Sequence, residues 1–248
     1  MKMEENHKID LHRGDCLVVM DELIEQGVKV NLIVTDPPYD IKNTKAGDKS
    51  DLAKSMQGMN DDIRKAGLTK GFNYNVILDK MTQLQDKINM YIWCNKAQLP
   101  FYLDYFVTKK KCSFDIIKWV KTNPIPTFYN KYISDTEYCL YIRKGGKCMP
   151  KNYEDGSTLY QAPINSKDKK LYGHPTIKPL EIIEKLIRNS SSEGDIILDP
   201  FSGSGTTGVA CVNTNRKCIM IEQDDKYFDI GVDRVEKAYD EKGLLNAN

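Results

Sequence analysis

Short apolar runs alternate along the chain with segments in which apolar residues recur every three or four positions. The runs have the length and composition of buried strands. They predict β-strands near residues 30–35, 90–94, 114–120, 137–143, 196–199 and 218–221. The recurring apolar positions predict helices that each bury one face. These positions are Leu17, Met20, Leu23 and Ile24, closed by Gly27; Ile77, Met81, Leu84 and Ile88; Leu180, Ile183 and Ile187; and Phe228, Val232, Val235 and Tyr239.

This alternation of strands and helices predicts an α/β fold with a doubly wound, mostly parallel sheet. In such folds the ligand crevice lies at the carboxyl ends of the strands. The length of 248 residues and the apolar fraction of 40% suit a single domain over residues 1–248. Two polar segments, residues 41–75 and 143–172, interrupt the pattern and are interpreted as insertions within that domain.

Composition excludes several classes of protein. No apolar stretch is long enough to span a membrane and no signal peptide opens the chain, so we expect a cytoplasmic protein without a membrane partner. Seven cysteines, an odd number without Cys-x-x-Cys spacing, indicate reduced thiols and neither a disulfide framework nor a metal site. The chemistry of the protein is therefore expected from other polar residues.

The net charge of +1 conceals an uneven distribution of charge. Residues 109–178 contain 14 Lys or Arg against 6 Asp or Glu, which gives +8 and leaves −7 for the rest of the chain. Within this segment, residues 118–126 interleave lysines with Trp119 and two prolines. That mixture is typical of a nucleic-acid contact. Two alternatives stay open, a solvated charged face for the segment and a place in the core for Trp119.

Asp36, Pro37, Pro38 and Tyr39 directly follow the first of the predicted strands. Each proline fixes its own φ at about −65° and biases the preceding residue away from helix, so the motif is held extended. A flat ring with an amino group suits this arrangement, because its face stacks on Tyr39 while Asp36 and a proline carbonyl accept hydrogen bonds from the amine. A proline-rich strand exit with a packed tyrosine is the alternative for the motif alone.

A second motif, residues 199–208, reads Asp-Pro-Phe-Ser-Gly-Ser-Gly-Thr-Thr-Gly and runs from a predicted strand into a helix-compatible stretch. Gly203 and Gly205 allow positive φ and close ligand approach, and a helix start offers N–H groups. The next strand ends at Glu222, 17 residues after Gly205. This is close to the offset of roughly 20 residues at which an acid binds a ribose hydroxyl. Together these features predict a nucleoside cofactor.

Three classes of nucleoside cofactor use such a glycine turn. A nucleoside triphosphate is disfavoured, because no lysine follows the last glycine of a P-loop pattern. Nicotinamide cofactors stay open, because residues 203–208 fit the expression G-x-G-x-x-G. The carboxylate of Asp199 would repel a pyrophosphate but attract a cationic amino group or sulfonium. This charge favours S-adenosylmethionine.

The two motifs in this order resemble the amino-group DNA methyltransferases, specifically their permuted branch, in which the catalytic motif precedes the cofactor motif. The segment from Asp36 to Tyr39 matches the (D/N/S)PPY catalytic motif, and residues 198–207 match the cofactor loop. Residues 174–179 match the HPTxKP segment, and Gly14 with Asp15 matches a short N-terminal motif. The matches extend from about residue 12 to residue 235, nearly the whole chain.

The resemblance implies a Rossmann-like fold, S-adenosylmethionine as cofactor, and catalytic roles for Asp36, Pro37, Pro38 and Tyr39. It places Asp15 near the adenine of the cofactor and Glu222 on its ribose. The cofactor-binding residues expected in this way are Asp15, His174, Thr176, Lys178, Asp199, Phe201, Ser202, Gly203, Gly205, Thr206 and Glu222, with Thr176 and Lys178 on the methionine part. The residues expected to contact the target DNA are Lys121, Asn123, Lys42 and Lys45.

In this family the DPPY form is usually found in adenine-N6 enzymes, so we predict direct methyl transfer to a flipped-out adenine in a short target sequence of double-stranded DNA. A cytosine-N4 enzyme is the close alternative, and a catalytically silent DNA-binding module is a third. Residues 41–75 are then expected to be a mobile lid or DNA-contact loop, and residues 143–172 a recognition insertion. A homodimer, a cognate restriction endonuclease as genetic partner, and association with the nucleoid of a bacterial or phage-infected cell complete these expectations.

Overall fold

In the computed structural model of the chain, residues 9–38, 73–126, 132–173 and 177–244 are described. Within these ranges eight strands form one sheet. The strands are β1 Ile9–Arg13, β2 Leu32–Thr35, β3 Ile88–Cys94, β4 Ser113–Lys121, β5 Thr136–Lys144, β6 Leu159–Ala162, β7 Ile196–Asp199 and β8 Lys217–Glu222. Their order across the sheet is β1-β8-β7-β2-β3-β5-β4-β6.

Seven α-helices are described, and several of them follow a residue whose side chain accepts a hydrogen bond from the first turn. They are α1 Cys16–Glu25, α2 Tyr74–Gln83, α3 Leu99–Leu103 with a π-helical continuation Asp104–Lys109, α4 Ser166–Tyr172, α5 Leu180–Ser190, α6 Thr206–Asn213 and α7 Asp225–Glu241. Asp15, Asn73 and Asp224 accept side-chain hydrogen bonds from the first turns of α1, α2 and α7, as N-cap residues do. Across the described ranges, no helix is long and apolar enough to cross a membrane.

Strand β5 is antiparallel to both of its neighbours, β3 and β4, whereas the other adjacent strands of the described sheet are parallel. The predicted doubly wound, mostly parallel sheet is therefore confirmed. The reversal of β5 has a consequence for the site. Its first residues lie beside the last residues of β3, with Tyr138 paired to Cys94, so the amino end of β5 reaches the same sheet edge as the carboxyl end of β3.

Alternate residues of the central strands face two separate apolar clusters. In β2, Leu32 and Val34 pack with α5, α6 and α7, whereas Ile33 packs with α1, α2 and α3. In β3, Trp93 belongs to the same cluster as Leu32 and Val34, and Ile92 belongs to the same cluster as Ile33. Because both faces are covered by helices, these strands are apolar throughout, which is why they were visible in the sequence as unbroken runs.

The structure differs from the predicted elements at three places. Ile88 begins β3 and does not extend α2, because the chain turns after Leu84 and the Gln85 side chain exchanges two hydrogen bonds with the backbone of Asn89. The edge strands β1 and β6 were not predicted, since only one of their residues, Ile9, is buried and the rest are partly or fully exposed. The interval 143–172, predicted as an insertion, contains the end of β5, all of β6 and α4.

Candidate active site

A cleft opens at the carboxyl ends of β2, β7 and β8, and its volume is about 1000 Å³ when the open space at its mouth is included. Strands β2 and β7 are parallel neighbours, with Ile33 paired to Leu198. The segments that leave these two strands therefore lie side by side although they are far apart in the sequence. The residues lining the cleft include Asp36, Pro38, Trp93, Lys178, Asp199, Phe201, Ser202, Gly203, Thr206 and Glu222. The structure thus brings the predicted catalytic motif and the predicted cofactor loop together.

A direct hydrogen bond joins the two motif-bearing strands. Thr35 at the end of β2 donates from Oγ1 to Oδ1 of Asp199 at 2.9 Å, and Thr207 donates to Oδ2 at 2.6 Å. The backbone N–H of Phe201 also donates to Oδ1, at 3.2 Å. Burial raises the pKa of Asp199 to about 6, although these three donors oppose the rise. The carboxylate is therefore held by neutral donors in a place where a cation would stabilise its charge.

The glycine loop depends on a close approach between two backbones. Gly205 has φ of +79°, and a Cβ added there would lie 2.9 Å from Cα of Gly231 in α7. Arg234, one turn further along α7, donates to the carbonyl and the hydroxyl of Ser204 at 2.7 and 3.0 Å and to Oγ1 of Thr206 at 3.1 Å. The guanidinium also lies 4.3 Å from the ring centre of Tyr172. Helix α7 therefore fixes the shape of the loop.

Glu222 closes the far side of the cleft. Its Oε2 accepts from the Gly203 N–H at 2.8 Å and its Oε1 from the Asp224 N–H at 2.9 Å. Burial raises the pKa of this carboxyl. Because each carboxylate oxygen has two lone pairs, both retain capacity for hydroxyl donors. A nucleoside with a cationic tail suits such a cleft, since Glu222 offers acceptors to a ribose and Asp199 offers negative charge.

Asp15 was predicted to lie near the adenine of the cofactor. Its side chain caps α1 by accepting from the Leu17 N–H at 2.7 Å, while its neighbours Gly14 and Cys16 line the cleft. The Gly14 N–H donates to the Glu222 carbonyl at 2.9 Å, which ties this motif to the end of β8. The predicted contact of Asp15 with a cofactor adenine stays a prediction.

The carboxylate of Asp36, which was predicted to be catalytic, pairs with the ammonium of Lys178. Lys178 was predicted to contact the methionine part of a cofactor, and the structure gives it two carboxylate partners, Asp36 and Glu137, the second at 3.3 Å. Burial opposes the charge of Lys178, but the two carboxylates outweigh it and raise the pKa of the ammonium. Lys178 therefore remains a cation beside Asp36.

Pro38 is anchored by a residue that the sequence reasoning missed. The fully buried Gln98 donates from Nε2 to the Pro38 carbonyl at 3.1 Å, while its Oε1 accepts from the Asn95 N–H at 3.0 Å. A carbonyl oxygen accepts two hydrogen bonds, so Pro38 keeps one position for a substrate amine. The buried Gln98 amide thus connects the segment that follows β2 to the segment that follows β3.

The residues predicted to contact DNA are only partly described. Lys121 pairs with Glu137 at 2.8 Å, and Asn123 accepts from the Ile164 N–H at 2.7 Å, so both stabilise the protein itself. Trp119 is buried and donates to the Ala162 carbonyl at 3.1 Å, which confirms the core interpretation of this residue. Five other predicted site residues lie outside the described residues, namely Tyr39, Lys42, Lys45, His174 and Thr176.

Glu137 and Arg234 also escaped the sequence reasoning, although each left a signal. Glu137 directly precedes the five apolar residues 138–142 of a predicted strand, and Arg234 lies between the apolar positions of α7. A charged residue in a buried pattern requires a partner, so both positions indicated a polar network. The identity of the partners was not readable, because they come from distant parts of the chain.

Two cysteine thiols near the predicted catalytic motif are poorly suited to act as nucleophiles. Burial, reinforced by Asp15 for Cys16 and by Asp36 for Cys94, raises the pKa of each thiol to about 12. A thiol of such pKa carries very little thiolate at neutral pH. The site is therefore suited to direct group transfer without a covalent enzyme intermediate.

Fold and site define a class of doubly wound proteins in which a carboxylate followed by two prolines adjoins a glycine loop. Residues 30–233 match the model of the N6/N4 family described as DNA methylase. The chain belongs to this family. Membership confirms the predicted class of enzyme, a DNA methyltransferase that uses S-adenosylmethionine.

Named relatives extend over nearly the same length. The Type II methyltransferase M2.LlaDCHI of Lactococcus lactis subsp. cremoris is 32% identical, with 94% of this chain and 91% of the relative covered. M2.MboI of Moraxella bovis is 29% identical, with coverage of 91% and 87%. Among solved structures, the complex of M1.HpyAVI with SAM superposes with a TM-score of 0.65 at 30% identity, covering 91% of this chain and 99% of that one.

Proposed function

We propose that this protein methylates the N6 amino group of adenine in a short sequence of double-stranded DNA, by direct transfer from S-adenosylmethionine. The observation that carries the proposal is the shared cleft of Asp36 and the glycine loop around Gly203. The choice of adenine rests on the DPPY form of the catalytic motif. The family model covers enzymes of both N6 and N4 type, so N4-methylcytosine in the product DNA would contradict this choice.

On the cofactor side, Glu222 is proposed to bind the ribose hydroxyls and the backbone of residues 202–205 to approach the nucleoside. Asp199 attracts the positive charge of the bound cofactor, because its own donors are neutral and its burial leaves the charge poorly solvated. The cofactor supplies a methyl group on a good leaving group, so catalysis requires mainly alignment.

On the substrate side, Asp36 and the Pro38 carbonyl are proposed to accept the two hydrogens of the target amine. An aromatic amine is a poor nucleophile, because its lone pair is delocalised into the ring. Accepting both hydrogens localises that pair and directs it towards the methyl carbon. The proton lost after transfer passes to Asp36 or to water, and the ammonium of Lys178 keeps the carboxylate charged beforehand.

The target base is hidden in a duplex and has to be extruded into the cleft, at a cost of a few kcal/mol. We propose that Tyr39 stacks on the extruded base, as its place next to Pro38 suggests. The basic segment 109–178 is proposed to face the phosphates. The Type II names of the relatives support a cognate restriction endonuclease in the same cell, and the homodimer and nucleoid association remain predictions.

The proposal is tested by expressing the protein in a host that lacks DNA methylation. Nucleoside mass spectrometry of the host DNA should detect N6-methyladenine, and modification-sensitive sequencing should place it in one short motif. Asp36→Asn serves as the matched inactive variant, because it retains the shape of the side chain. Unmodified DNA from cells that contain soluble wild-type protein would refute the proposed function.

A further inference from the structure

Four charged side chains form a continuous series beside the cleft, here called the ion chain: Lys121, Glu137, Lys178 and Asp36. Lys121 Nζ lies 2.8 Å from Glu137 Oε1, and Lys178 Nζ lies 3.3 Å from Glu137 Oε2. The Lys178 ammonium also pairs with Oδ2 of Asp36. Opposite charges alternate along the ion chain, so Glu137 pairs with two ammonium groups and Lys178 pairs with two carboxylates.

The centre of the ion chain is withdrawn from water. The side chain of Lys178 is 5% exposed and that of Glu137 is 25% exposed. Removing one member of a buried ion pair is costly, because its partner then remains as an unpaired buried charge. The position of the Lys178 ammonium is therefore set by both of its carboxylates.

The fold explains how Glu137 reaches this position. In the sheet, β3 lies between β2 and β5, and the antiparallel β5 presents its first residues at the edge where β2 and β3 end. Lys178 spans this edge, with its ammonium 5.2 Å from the ring centre of Trp93 in β3. A lysine side chain is flexible and carries three rotatable donors, so one partner alone would leave the ammonium poorly fixed.

We propose that Glu137 is a positioning residue for methyl transfer, which holds Lys178 from β5 and thereby fixes the orientation of the Asp36 carboxylate. This inference rests on the proposed role of Asp36 in accepting the substrate amine. Without the charge of Glu137, the Lys178 ammonium would be drawn towards Asp36 and would compete with the amine for its oxygens. The chemical step would slow while cofactor binding would stay unchanged.

The test compares Glu137→Gln with the wild-type protein under single-turnover conditions, with an oligonucleotide duplex that the wild type methylates. We expect the rate of methyl transfer to fall on the order of tenfold to a hundredfold, as for other small displacements of reacting groups. The dissociation constant of S-adenosylmethionine, measured by calorimetry, should remain that of the wild type. Glu137→Asp keeps the charge with a shorter reach and should recover part of the rate.

Asp115→Asn is the matched control, because Asp115 and Arg143 form an ion pair between the same two strands, β4 and β5, away from the cleft. It should leave the rate unchanged. Combining Glu137→Gln with Lys178→Gln tests the route of the effect. If Glu137 acts through Lys178, Glu137→Gln should cost little further rate once Lys178→Gln is present.

The inference is overturned if Glu137→Gln retains the wild-type rate, or if it loses no more rate than Asp115→Asn. It is also overturned if the rate losses of Glu137→Gln and Lys178→Gln add up in the double variant. Should Glu137→Gln fail to fold, Glu137→Asp decides, because a wild-type rate in that variant would equally overturn the inference. An inactive wild-type protein would instead refute the proposed function, so the two failures are distinguishable.

Discussion

The two sides of the cleft hold their carboxylates in opposite ways. On the cofactor side, Asp199 and Glu222 accept hydrogen bonds from hydroxyl and N–H groups, and burial raises the pKa of both. On the catalytic side, burial also acts to raise the pKa of Glu137, but Lys178 and Lys121 outweigh it and lower that pKa to about 2. Among the residues that the structure describes, Asp199 and Glu222 form no ion pair, whereas the catalytic side contains the cation Lys178.

This contrast matches the charges of the two proposed ligands. S-adenosylmethionine has a positive sulfonium and amino group, so the cofactor side gains from carboxylates that lack a protein cation. The target amine is neutral, so Asp36 would be left as an uncompensated charge in a buried site unless the protein supplied Lys178. The negative charge on the cofactor side is thus balanced by the ligand, whereas the negative charge on the catalytic side is balanced by the protein.

The largest expected effect comes from Asp36→Asn on the catalytic side. An amide presents one acceptor oxygen and cannot receive the proton, so we expect methyl transfer to fall on the order of a thousandfold. Single-turnover assays with labelled cofactor measure this rate. The affinity for S-adenosylmethionine, measured by calorimetry, should stay unchanged, because Asp36 lies on the catalytic side of the cleft. A near-wild-type rate would show that the carboxylate has no catalytic role.

On the cofactor side, Gly205→Ala should be strongly destabilising, and Gly194→Ala is its matched control. Both glycines have φ near +80°, but a Cβ at Gly194 meets nothing within 4 Å, whereas one at Gly205 would clash with the backbone of Gly231. We expect Gly194→Ala to cost about 1 kcal/mol and Gly205→Ala about 2 kcal/mol more. Urea unfolding measures both. Equal losses in the free energy of unfolding would mean that α7 moves away from the loop without strain.

The opposite pKa shifts predict opposite responses to acid. The pKa of Asp199 is raised to about 6, so its protonation favours the folded state and its contribution to stability grows as the pH falls from 6 towards 3.8. The pKa of Glu137 is lowered from 4.5 to about 2, so its contribution is complete above 4.5 and is lost as the pH falls towards 2. Unfolding curves of Asp199→Asn and Glu137→Gln across pH should each lose one of these dependences.

The protonation of Asp199 should also change the binding of S-adenosylmethionine. Below about pH 6 the protonated Asp199 no longer attracts a cation, so the affinity for S-adenosylmethionine should fall by up to about tenfold per pH unit. Calorimetry between pH 5 and pH 8 measures this slope. Asp199→Asn should bind more weakly at pH 8 and show a flatter dependence. A wild-type affinity that is constant over this range would contradict the proposed role of Asp199.

The smallest effect concerns two tryptophans that are equally buried. Trp119 donates to the Ala162 carbonyl, whereas Nε1 of Trp93, in the cleft wall, has no hydrogen-bond partner within the described chain. Trp119→Phe should therefore cost about 1 kcal/mol more than Trp93→Phe in thermal unfolding without cofactor. If the cofactor accepts the Trp93 N–H, added S-adenosylmethionine should stabilise Trp93→Phe less than wild type. Equal stabilisation would exclude that contact.

The sequence was most informative where one segment contains both the structural and the chemical signal. Strands β2, β3 and β7 are buried on both faces and appear as unbroken apolar runs, and the motifs at 36–38 and 199–208 follow directly from two of them. Strands β1 and β6 were missed, because an edge strand gains its hydrogen bonds from a neighbour and needs few apolar residues.

Motif order and spacing in the chain, with the family that they resemble, indicated the class of enzyme, its cofactor and many of the residues that line the cleft. Only the tertiary structure decided the partners of those residues: Lys178 with Asp36 and Glu137, Gln98 with Pro38, and Arg234 with the glycine loop. The physical reason is the range of each interaction. Backbone conformation and apolar periodicity are local properties of a segment, whereas ion pairs and buried hydrogen bonds join residues that become neighbours only through the order and direction of the strands.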